Sequence, residues 1–294
     1  MCSEESMIRN ELNKVGVSGN YELQPIREKF GIYVFRVILP QGSLVGKYFN
    51  GEQMHGRNEI EYYKMLKSVN IPVLNMTAHT ACLLLLEDIQ ASGKYRLATE
   101  QDHSNYATAR LIARWFKQLH ACGRNFSGLQ ELAVLDDAGK VLSIKSIKKA
   151  MCKSNTCDNL FWVALMDQVE SIKSAYSCWC NTITYNDFWW DNMAVALDGS
   201  SALMFDYNCV YRGYAYSDIR HVLSVLSKEA GAAFLDAYGK YNNKEKAFDD
   251  LYFPLTGLIS AYNMKSFPAW AGKYVGMLHS GEMLQRLNSF VNSA

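Results

Sequence analysis

Five polar side chains interrupt apolar segments of the sequence, and their types could do chemistry together. Lys47 lies within the stretch "SLVGKYF", and Glu59 lies in the helix-like segment that follows. Asp187 and Asn192 are five positions apart, and Asp206 follows the apolar run "ALMF" fourteen residues later. Because a buried lysine needs a partner, we expect a carboxylate of the neighbouring helix to pair with Lys47.

Phosphoryl transfer is the chemistry that requires these parts. An acid orients the acceptor hydroxyl, an amide and a second acid hold magnesium, and a lysine contacts the phosphates. Catalysis then rests mostly on positioning and charge stabilisation. Taken alone, Lys47 and Glu59 are more typical of a structural ion pair or of two surface charges. The order lysine, glutamate, apolar strand, Asp-x-x-x-x-Asn and aspartate is what favours catalysis.

The composition is that of a globular chain and excludes several classes of protein. The 294 residues are 49% hydrophobic and 20% charged, unlike a disordered chain. A net charge of +1 predicts no nucleic-acid and no membrane-surface partner. The apolar run "ACLLLL" is too short to cross a bilayer. The start "MCSEESMIRN" lacks the basic-then-apolar order of a secretion signal, so we expect a soluble protein.

Cysteine usage predicts a cytoplasmic location. The eight cysteines, at positions 2, 82, 122, 152, 157, 178, 180 and 209, include no C-x-x-C pair. A chain of this size does not need disulfides to fold. Cys178 and Cys180 could share a metal, but free thiols are the interpretation that we favour.

The N-terminal part of the sequence is predicted to form strands. The segments 21–26, 32–39 and 43–49 are rich in β-branched and aromatic residues, and the turn signals "REKFG" and "PQG" separate them. "GRNEIEYYKMLKSV" has the apolar spacing of a helix, which the proline of "NIPV" ends. "CLLLLEDI" is predicted to be a short buried strand that ends in two acids.

The remainder of the sequence is mostly helical in pattern. Helices are predicted at "NYATARLIARWFKQLHACG", "SIKSIKKAMCK" and "CDNLFWVALMDQVESIKSAYSCW". Short strands return around 184–208, and the chain is helical again from Asp218 onward. Strands first and helices afterwards predict an α+β layout in two lobes, with a boundary near Gln90–Gly93.

The motifs resemble those of the aminoglycoside phosphotransferase and choline kinase superfamily, the small-molecule relatives of protein kinases. "YNDFWWDN" is similar to the family's H-[GN]-D-x-x-x-x-N loop, and "MFDYN" to its metal-binding Ile-Asp segment. "SLVGKYF" resembles the lysine strand, "NEIEYYKML" the glutamate helix, and "LLLLEDI" the hinge. "LIARWFKQLH" resembles the helix that ends in Leu-His, and Asp218 matches the acid after the metal-binding segment. The resemblance runs in the same order from about Tyr21 to Val222.

The resemblance implies a protein-kinase-like two-lobed α+β fold. A small antiparallel sheet would form a nucleotide-binding lobe at residues 1–90. A mostly helical lobe at residues 91–294 would carry catalysis and bind the acceptor. The implied cofactors are ATP, with GTP possible, and Mg²⁺, and the implied partner is a small-molecule acceptor. Nothing in the sequence predicts the oligomeric state.

The resemblance also assigns catalytic and metal-binding roles by position. Asp187 would be the catalytic base, or the group that orients the acceptor hydroxyl. Asn192 and Asp206 would bind magnesium. Tyr185 stands where the family has histidine, and its phenol can donate a hydrogen bond in place of the imidazole. Asn208 stands where many relatives have an acid or glycine.

Further positions are implied to contact the nucleotide. Lys47 would contact the α- and β-phosphates, held by Glu59 rather than Glu61. The backbone of Glu87 and Ile89 would meet the adenine. "REKFGIYVF" has a single glycine where the family's phosphate-covering loop is often richer in glycine.

The predicted function is ATP-dependent transfer of a phosphoryl group to a hydroxyl of a small molecule. The alternative is a non-catalytic, pseudokinase-like binding protein of the same fold, which Tyr185 and the glycine-poor loop favour. Retention of the five polar residues together favours the enzyme. A protein kinase is disfavoured because no "APE"-like segment lies between Asp206 and Asp218.

An amino alcohol of the choline or ethanolamine type is predicted as acceptor ahead of an aminoglycoside. From Asn181 onward the chain has eleven acids against nine bases, which is few acids for binding a polycation. Aromatic side chains are abundant instead, and aromatic faces attract a single ammonium group. Trp189, Trp190 and Tyr211 are the predicted acceptor contacts.

Overall fold

A computed structural model describes residues 2–50, 54–134 and 138–293, without the side chains of 2, 3, 54–57 and 293. Its first elements, in chain order, are α1 (Cys2–Lys14), β1 (Glu22–Lys29), β2 (Ile32–Leu39), β3 (Gly42–Phe49), α2 (Met54–Ser68), β4 (Met76–His79), β5 (Leu83–Glu87), β6 (Tyr95–Leu97) and α3 (Tyr106–Arg124). There follow α4 (Ala138–Val141), α5 (Ile144–Lys153), α6 (Leu160–Trp179), β7 (Thr182–Thr184), β8 (Met193–Ala196), β9 (Ala202–Met204) and β10 (Tyr211–Gly213). The last are α7 (Ala215–Val225), α8 (Lys228–Tyr238), α9 (Asn243–Asn263), α10 (Gly272–His279) and α11 (Glu282–Ser293).

The chain forms two compact units. The first extends to Phe126 and also includes Tyr185–Val210 and Arg220–Gly239. The second comprises Ser127–Thr184, Tyr211–Ile219 and the chain from Lys240 onward. An antiparallel sheet early in the chain and helices later confirm the predicted protein-kinase-like α+β fold. The lobe limits at 90 and 91 stay a prediction.

A five-stranded sheet with the order β1-β2-β3-β5-β4 organises the first unit, and its pairs are antiparallel. Alternation along each strand gives the sheet two different faces. One face carries Phe35, Val37 and Leu85, which pack with Ile8 and Leu12 of α1 into a buried core. The other face carries polar side chains, described below.

Helix α1 was not predicted, and its sequence explains why it forms. Ile8 and Leu12 are four positions apart and fall on one helix face, where both are buried. Glu4 and Glu5 lie in the first turn and Lys14 in the last, which suits the helix dipole. The short strands β4 and β6 were also missed, since each has few residues to establish a period.

The prediction that "REKFG" forms a turn was wrong, because most of this segment is strand. Strand β1 continues to Lys29, which is opposite Ile32 of β2. Only Phe30 and Gly31 form the turn, with φ of 52° and 74°. Positive φ at both residues is what a two-residue hairpin of matching twist requires.

Helices complete the two units separately. In the first, α3 begins at the cap Asn105, whose side chain accepts a hydrogen bond from the Thr108 N–H, and α3 packs on α8. In the second, α9 packs against α5, α6 and α11. No helix among the described residues is long and apolar enough to cross a membrane. The cysteines with described side chains are free thiols, and Cys2 lies outside them.

Candidate active site

Lys47 is the centre of a buried charge cluster in the first unit. It projects from the middle strand β3, and its Nζ lies 2.6 Å from the Oε2 of Glu59 and 2.8 Å from the Oδ1 of Asp206. Lys47 is 9% exposed and Glu59 of α2 is 1% exposed. Glu61 is instead on the helix surface with Lys64, so Glu59 is the carboxylate that meets the lysine.

The electrostatics of this cluster follow from burial and from the number of carboxylates. Burial alone would lower the pKa of Lys47, but Glu59 and Asp206 together raise it. Burial raises the pKa of Glu59 to about 7, and the charge of Asp206 adds to the effect. Lys47 and the backbone N–H of Tyr207 act in the opposite direction on Glu59. Lys47 is therefore held as a cation between two acids.

A short hairpin brings Asn192 and Asp206 together although they are fourteen positions apart in the chain. Met193 begins β8 and is opposite Met204, which ends β9. Asn192 immediately precedes β8 and Asp206 closely follows β9, so both lie at the same end of the pair. The N–H of Phe205 donates to the Asn192 carbonyl at 3.0 Å and closes this end.

Asp187 is tied to Asn192 by side-chain hydrogen bonds. The Nδ2 of Asn192 donates to the Oδ2 of Asp187 at 2.9 Å and to its backbone carbonyl at 3.1 Å. Burial raises the pKa of Asp187, and the charge of Asp206 raises it further, while the Asn192 amide opposes the shift. The loop thus holds a carboxylate oriented by an amide, next to a second carboxylate.

The donor set of Asn192 and Asp206 fits magnesium. Because the Asn192 nitrogen is used by Asp187, its amide oxygen is the group left to bind a cation. Asp206 is in the left-handed region, with φ of 62° and ψ of 67°, which aspartate tolerates better than most residues. The described residues contain no cluster of three or more His, Cys, Asp or Glu suited to a metal. Two protein ligands suit Mg²⁺ when substrate phosphates supply others.

Tyr185, which the sequence resemblance aligned with a histidine, donates a hydrogen bond from its phenol. The ring is fully buried, and its OH donates to the carbonyl of Phe205 at 2.5 Å. Trp115 and Tyr207 meet the ring edge to face. Tyr185 therefore fixes the residue immediately before Asp206.

A pocket of about 390 Å³ opens next to this cluster. Lys47, Glu59 and Asp206 line one part of it, and Glu87 and Ile89 line another. Its apolar walls include the side chains of Val34, Val45, Leu74, Leu86 and Phe205. A pocket with apolar walls and a charged cluster at one part can hold a nucleotide base and its phosphates.

Glu87, which ends β5, and Ile89, two residues further on, are the residues predicted to contact the base. Their backbone N–H groups differ in whether they already have a hydrogen-bond partner. The Glu87 N–H donates to the Asn75 carbonyl at 2.9 Å, and the Glu87 carboxylate accepts from the Asn75 N–H at 2.8 Å. The Ile89 N–H has no partner among the residues that the structure describes. Of these two backbone donors, that of Ile89 is the one still able to bond a base.

Arg36 and Asp88 are pocket residues that the sequence reasoning missed. Asp88 is buried and accepts from the Arg36 Nε at 2.5 Å and from the Ser43 hydroxyl at 2.7 Å. Burial would raise the pKa of Asp88, but these hydrogen bonds hold it lower than usual. Arg36 also donates to Gln90 at 2.7 Å. The arginine interrupting the apolar β2 pattern was a signal that could have found this network.

The predicted acceptor residues are only partly brought together. The Trp189 and Trp190 rings lie 4.0 Å apart between centroids, at an interplanar angle of 31°. Trp189 is 42% exposed, so its ring is accessible to a ligand. Tyr211 belongs to the second unit, where it is opposite Thr184 in the β10–β7 pair. Its role stays a prediction.

Comparison with known proteins finds a similar fold in several small-molecule phosphotransferases. No protein-family model and no curated protein matches the sequence. Among solved structures, choline kinase LicA from Streptococcus pneumoniae aligns at a TM-score of 0.58 and 11% identity, covering 98% of this chain and 99% of that one. A choline/ethanolamine kinase family protein from Mesorhizobium loti gives 0.58 and 14%, with 99% of both chains covered.

A third solved structure is similar to a comparable degree. Spectinomycin phosphotransferase, solved with ADP and spectinomycin, aligns at a TM-score of 0.55 and 12% identity, covering 98% of this chain and 93% of that one. LicA has also been solved with AMP. The chain therefore has the fold of the aminoglycoside phosphotransferase and choline kinase superfamily, which confirms the predicted resemblance.

Proposed function

We propose that the protein is an ATP-dependent phosphotransferase that moves the γ-phosphoryl group to a hydroxyl of a small molecule. The observation that carries the proposal is the single cluster of Lys47, Glu59 and Asp206, which lines the same pocket as Glu87 and Ile89. The five polar residues lie in one compact unit. A binding protein without catalysis would not need the hydrogen-bonded Asp187 and Asn192.

Each residue has a distinct role in the proposed reaction. Lys47, held by Glu59, contacts the α- and β-phosphates, while the backbone of Glu87 and Ile89 meets the base. Asp187 accepts a hydrogen bond from the acceptor hydroxyl, aims its oxygen at the γ-phosphorus and takes its proton as the new O–P bond forms. The bond from the γ-phosphorus to the bridging oxygen breaks, and ADP leaves.

Asn192 and Asp206 would hold magnesium. The bound ion supplies neutralisation of the charge that develops on the phosphate oxygens. Asn192 also orients Asp187 through its amide nitrogen, so one side chain would link the metal site to the acceptor site. Tyr185 would stabilise this arrangement through the Phe205 carbonyl.

The proposed acceptor is an amino alcohol of the choline or ethanolamine type. The half-exposed Trp189 ring, which lies tilted against Trp190, supports this because an ammonium group binds aromatic faces. The similar fold of choline and ethanolamine kinases is a second support. Tyr211 is included as an acceptor contact on the resemblance alone. ATP is the proposed nucleotide. The proposed location is the cytoplasm, on the basis of the cysteine pattern.

Two measurements on the purified protein test the proposal. The melting temperature should rise when MgATP is added, because a ligand at a hundred times its Kd adds about 2.7 kcal/mol to the free energy of unfolding. A phosphate-transfer screen should then cover choline, ethanolamine, other amino alcohols, aminoglycosides and sugars. Transfer to an amino alcohol is expected. Nucleotide binding without transfer to any acceptor, or no nucleotide binding at all, would favour the pseudokinase-like alternative.

A further inference from the structure

The pairing of β1 with β2 contains one extra residue close to the nucleotide pocket. Pro25 is opposite Phe35, but the next pair is Arg27 with Val34, so Ile26 has no partner of its own. In such a β-bulge, two consecutive residues of one strand are opposite a single residue of the other. The residues that follow the bulge therefore change the face of the sheet on which they lie. Bulges of this kind occur often beside active sites.

The extra residue decides which charges of β1 face the pocket. Val34 of β2 lines the pocket, and its partner in the neighbouring strand β3 is Lys47. Residues opposite one another in antiparallel strands project from the same face of a sheet. Arg27, opposite Val34, and Lys29, two positions further on, are therefore on the pocket face.

Glu28 lies on the other face as a result. It is opposite Tyr33, which packs against the core shared with α1. If the ladder were regular and Ile26 were opposite Val34, Glu28 would be opposite Ile32 and would face the pocket. The bulge thus exchanges an acid for two bases on this surface.

The pocket needs these bases if it is to hold a polyphosphate. Its charged lining consists of two bases, Arg36 and Lys47, and five acids: Glu59, Glu87, Asp88, Asp191 and Asp206. Lys47 already bonds two of the acids, and Arg36 is bonded to Asp88. An anionic ligand would otherwise meet an excess of negative charge.

The hairpin tip is fixed and offers its cations to solvent. The Gly31 carbonyl accepts from the Asn50 N–H at 3.0 Å, which ties the turn to the chain that leaves β3. Arg27 and Lys29 are exposed.

We propose that Arg27 and Lys29 form a second phosphate-binding site, in which the two cations hold the β- and γ-phosphates of the nucleotide in place of a glycine-rich loop. Two charged side chains on a tied hairpin would do what backbone N–H groups do in a flexible loop. Lys29, nearer the tip, would hold the γ-phosphate next to Asp187. The inference rests on the proposed function and deepens it.

The test measures how much of nucleotide affinity depends on the phosphates. Calorimetric Kd values for adenosine, MgADP and MgATP are compared in wild type, Arg27→Ala, Lys29→Ala and the matched control Glu28→Ala. We expect Lys29→Ala to weaken MgATP by about tenfold, the size of one charge-assisted hydrogen bond, and adenosine by less than about twofold. Arg27→Ala should weaken MgADP and MgATP alike, and Glu28→Ala neither.

Two further variants separate charge from structure. Lys29→Arg should restore MgATP binding, and Lys29→Glu should weaken it more than Lys29→Ala does. Unchanged MgATP affinity in both Arg27→Ala and Lys29→Ala, or an equal loss of adenosine affinity, would overturn the inference. Failure of the wild type to bind MgATP at all would instead refute the proposed function.

Discussion

The Nζ of Lys47 lies 2.8 Å from the Oδ1 of Asp206, so the lysine proposed for the phosphates is bonded to the carboxylate proposed for magnesium. The two residues are 159 positions apart in the chain. In the proposed complex the nucleotide and its metal would compete with this contact, and the second partner of Lys47, Glu59, would keep the lysine in place.

Asp206→Ala should weaken nucleotide binding only when magnesium is present. The carboxylate is proposed as a metal ligand, so its loss should reduce MgATP affinity about tenfold or more and leave metal-free ATP nearly unchanged. The measurement is calorimetry with Mg²⁺ and with EDTA. Asp198→Ala, in the exposed turn of the same β8–β9 hairpin, is the matched control. Equal losses with and without magnesium would contradict the assignment.

Lys47→Met should lower the free energy of unfolding by about 3 kcal/mol, because it leaves Glu59 buried beside a second acid with no cation. Lys64→Met breaks an exposed pair with Glu61 and should cost less than about 0.5 kcal/mol. Urea unfolding near pH 8 measures both values. Similar costs for the two variants would contradict the buried, paired state of Lys47.

Asp102 should make a stabilising contribution that is lost in acid. Burial would raise its pKa, but Arg96, the Thr99 N–H and the Thr108 hydroxyl lower it from 3.8 to about 2. A depressed folded-state pKa adds stability above the unfolded value and loses it as the pH falls through the folded value. The difference in free energy of unfolding between wild type and Asp102→Asn should therefore be constant above pH about 5. This difference should shrink between pH about 4 and about 2. Urea unfolding across that range measures it, and a gap that widened in acid would contradict the contacts.

Trp189→Ala should raise the KM for an amino alcohol and leave the KM for ATP unchanged. One cation–π contact is worth about 0.5–2 kcal/mol, which corresponds to a rise of about twofold to thirtyfold. Steady-state kinetics with each substrate varied in turn provide the internal control. An equal rise in both KM values would indicate a general disturbance of the loop rather than an acceptor contact.

The fold was predictable where pattern alone determines structure. The strands β2 and β3 and the helix α3 follow from β-branched and apolar periodicity, and Asn105 marks where the helix starts. The end of β1 was not predictable in the same way. "REKF" contains charged residues typical of a turn, yet pairing with β2 and one unpaired Ile26 keep it in the sheet.

The candidate site shows the same limit. The residue types and their order indicated Lys47, Glu59 and Asp206, but pairing across 159 positions is set by tertiary structure and is not visible in local pattern. The Arg36–Asp88 pair was missed for that reason. The acceptor stays a proposal because aromatic composition does not say which rings are accessible. Phe188, for example, is only 2% exposed.

The most direct test of the proposed function compares phosphoryl transfer by wild type, Asp187→Asn and the control Asp198→Asn, with radiolabelled ATP and an amino alcohol. The variant keeps the size of the side chain but cannot take the hydroxyl proton. We predict that kcat falls by about a hundredfold or more in Asp187→Asn, the size of general base catalysis, while the Kd for MgATP stays within about twofold. Transfer in Asp187→Asn at the wild-type rate would contradict the account, as would no transfer by wild type to any amino alcohol, aminoglycoside or sugar.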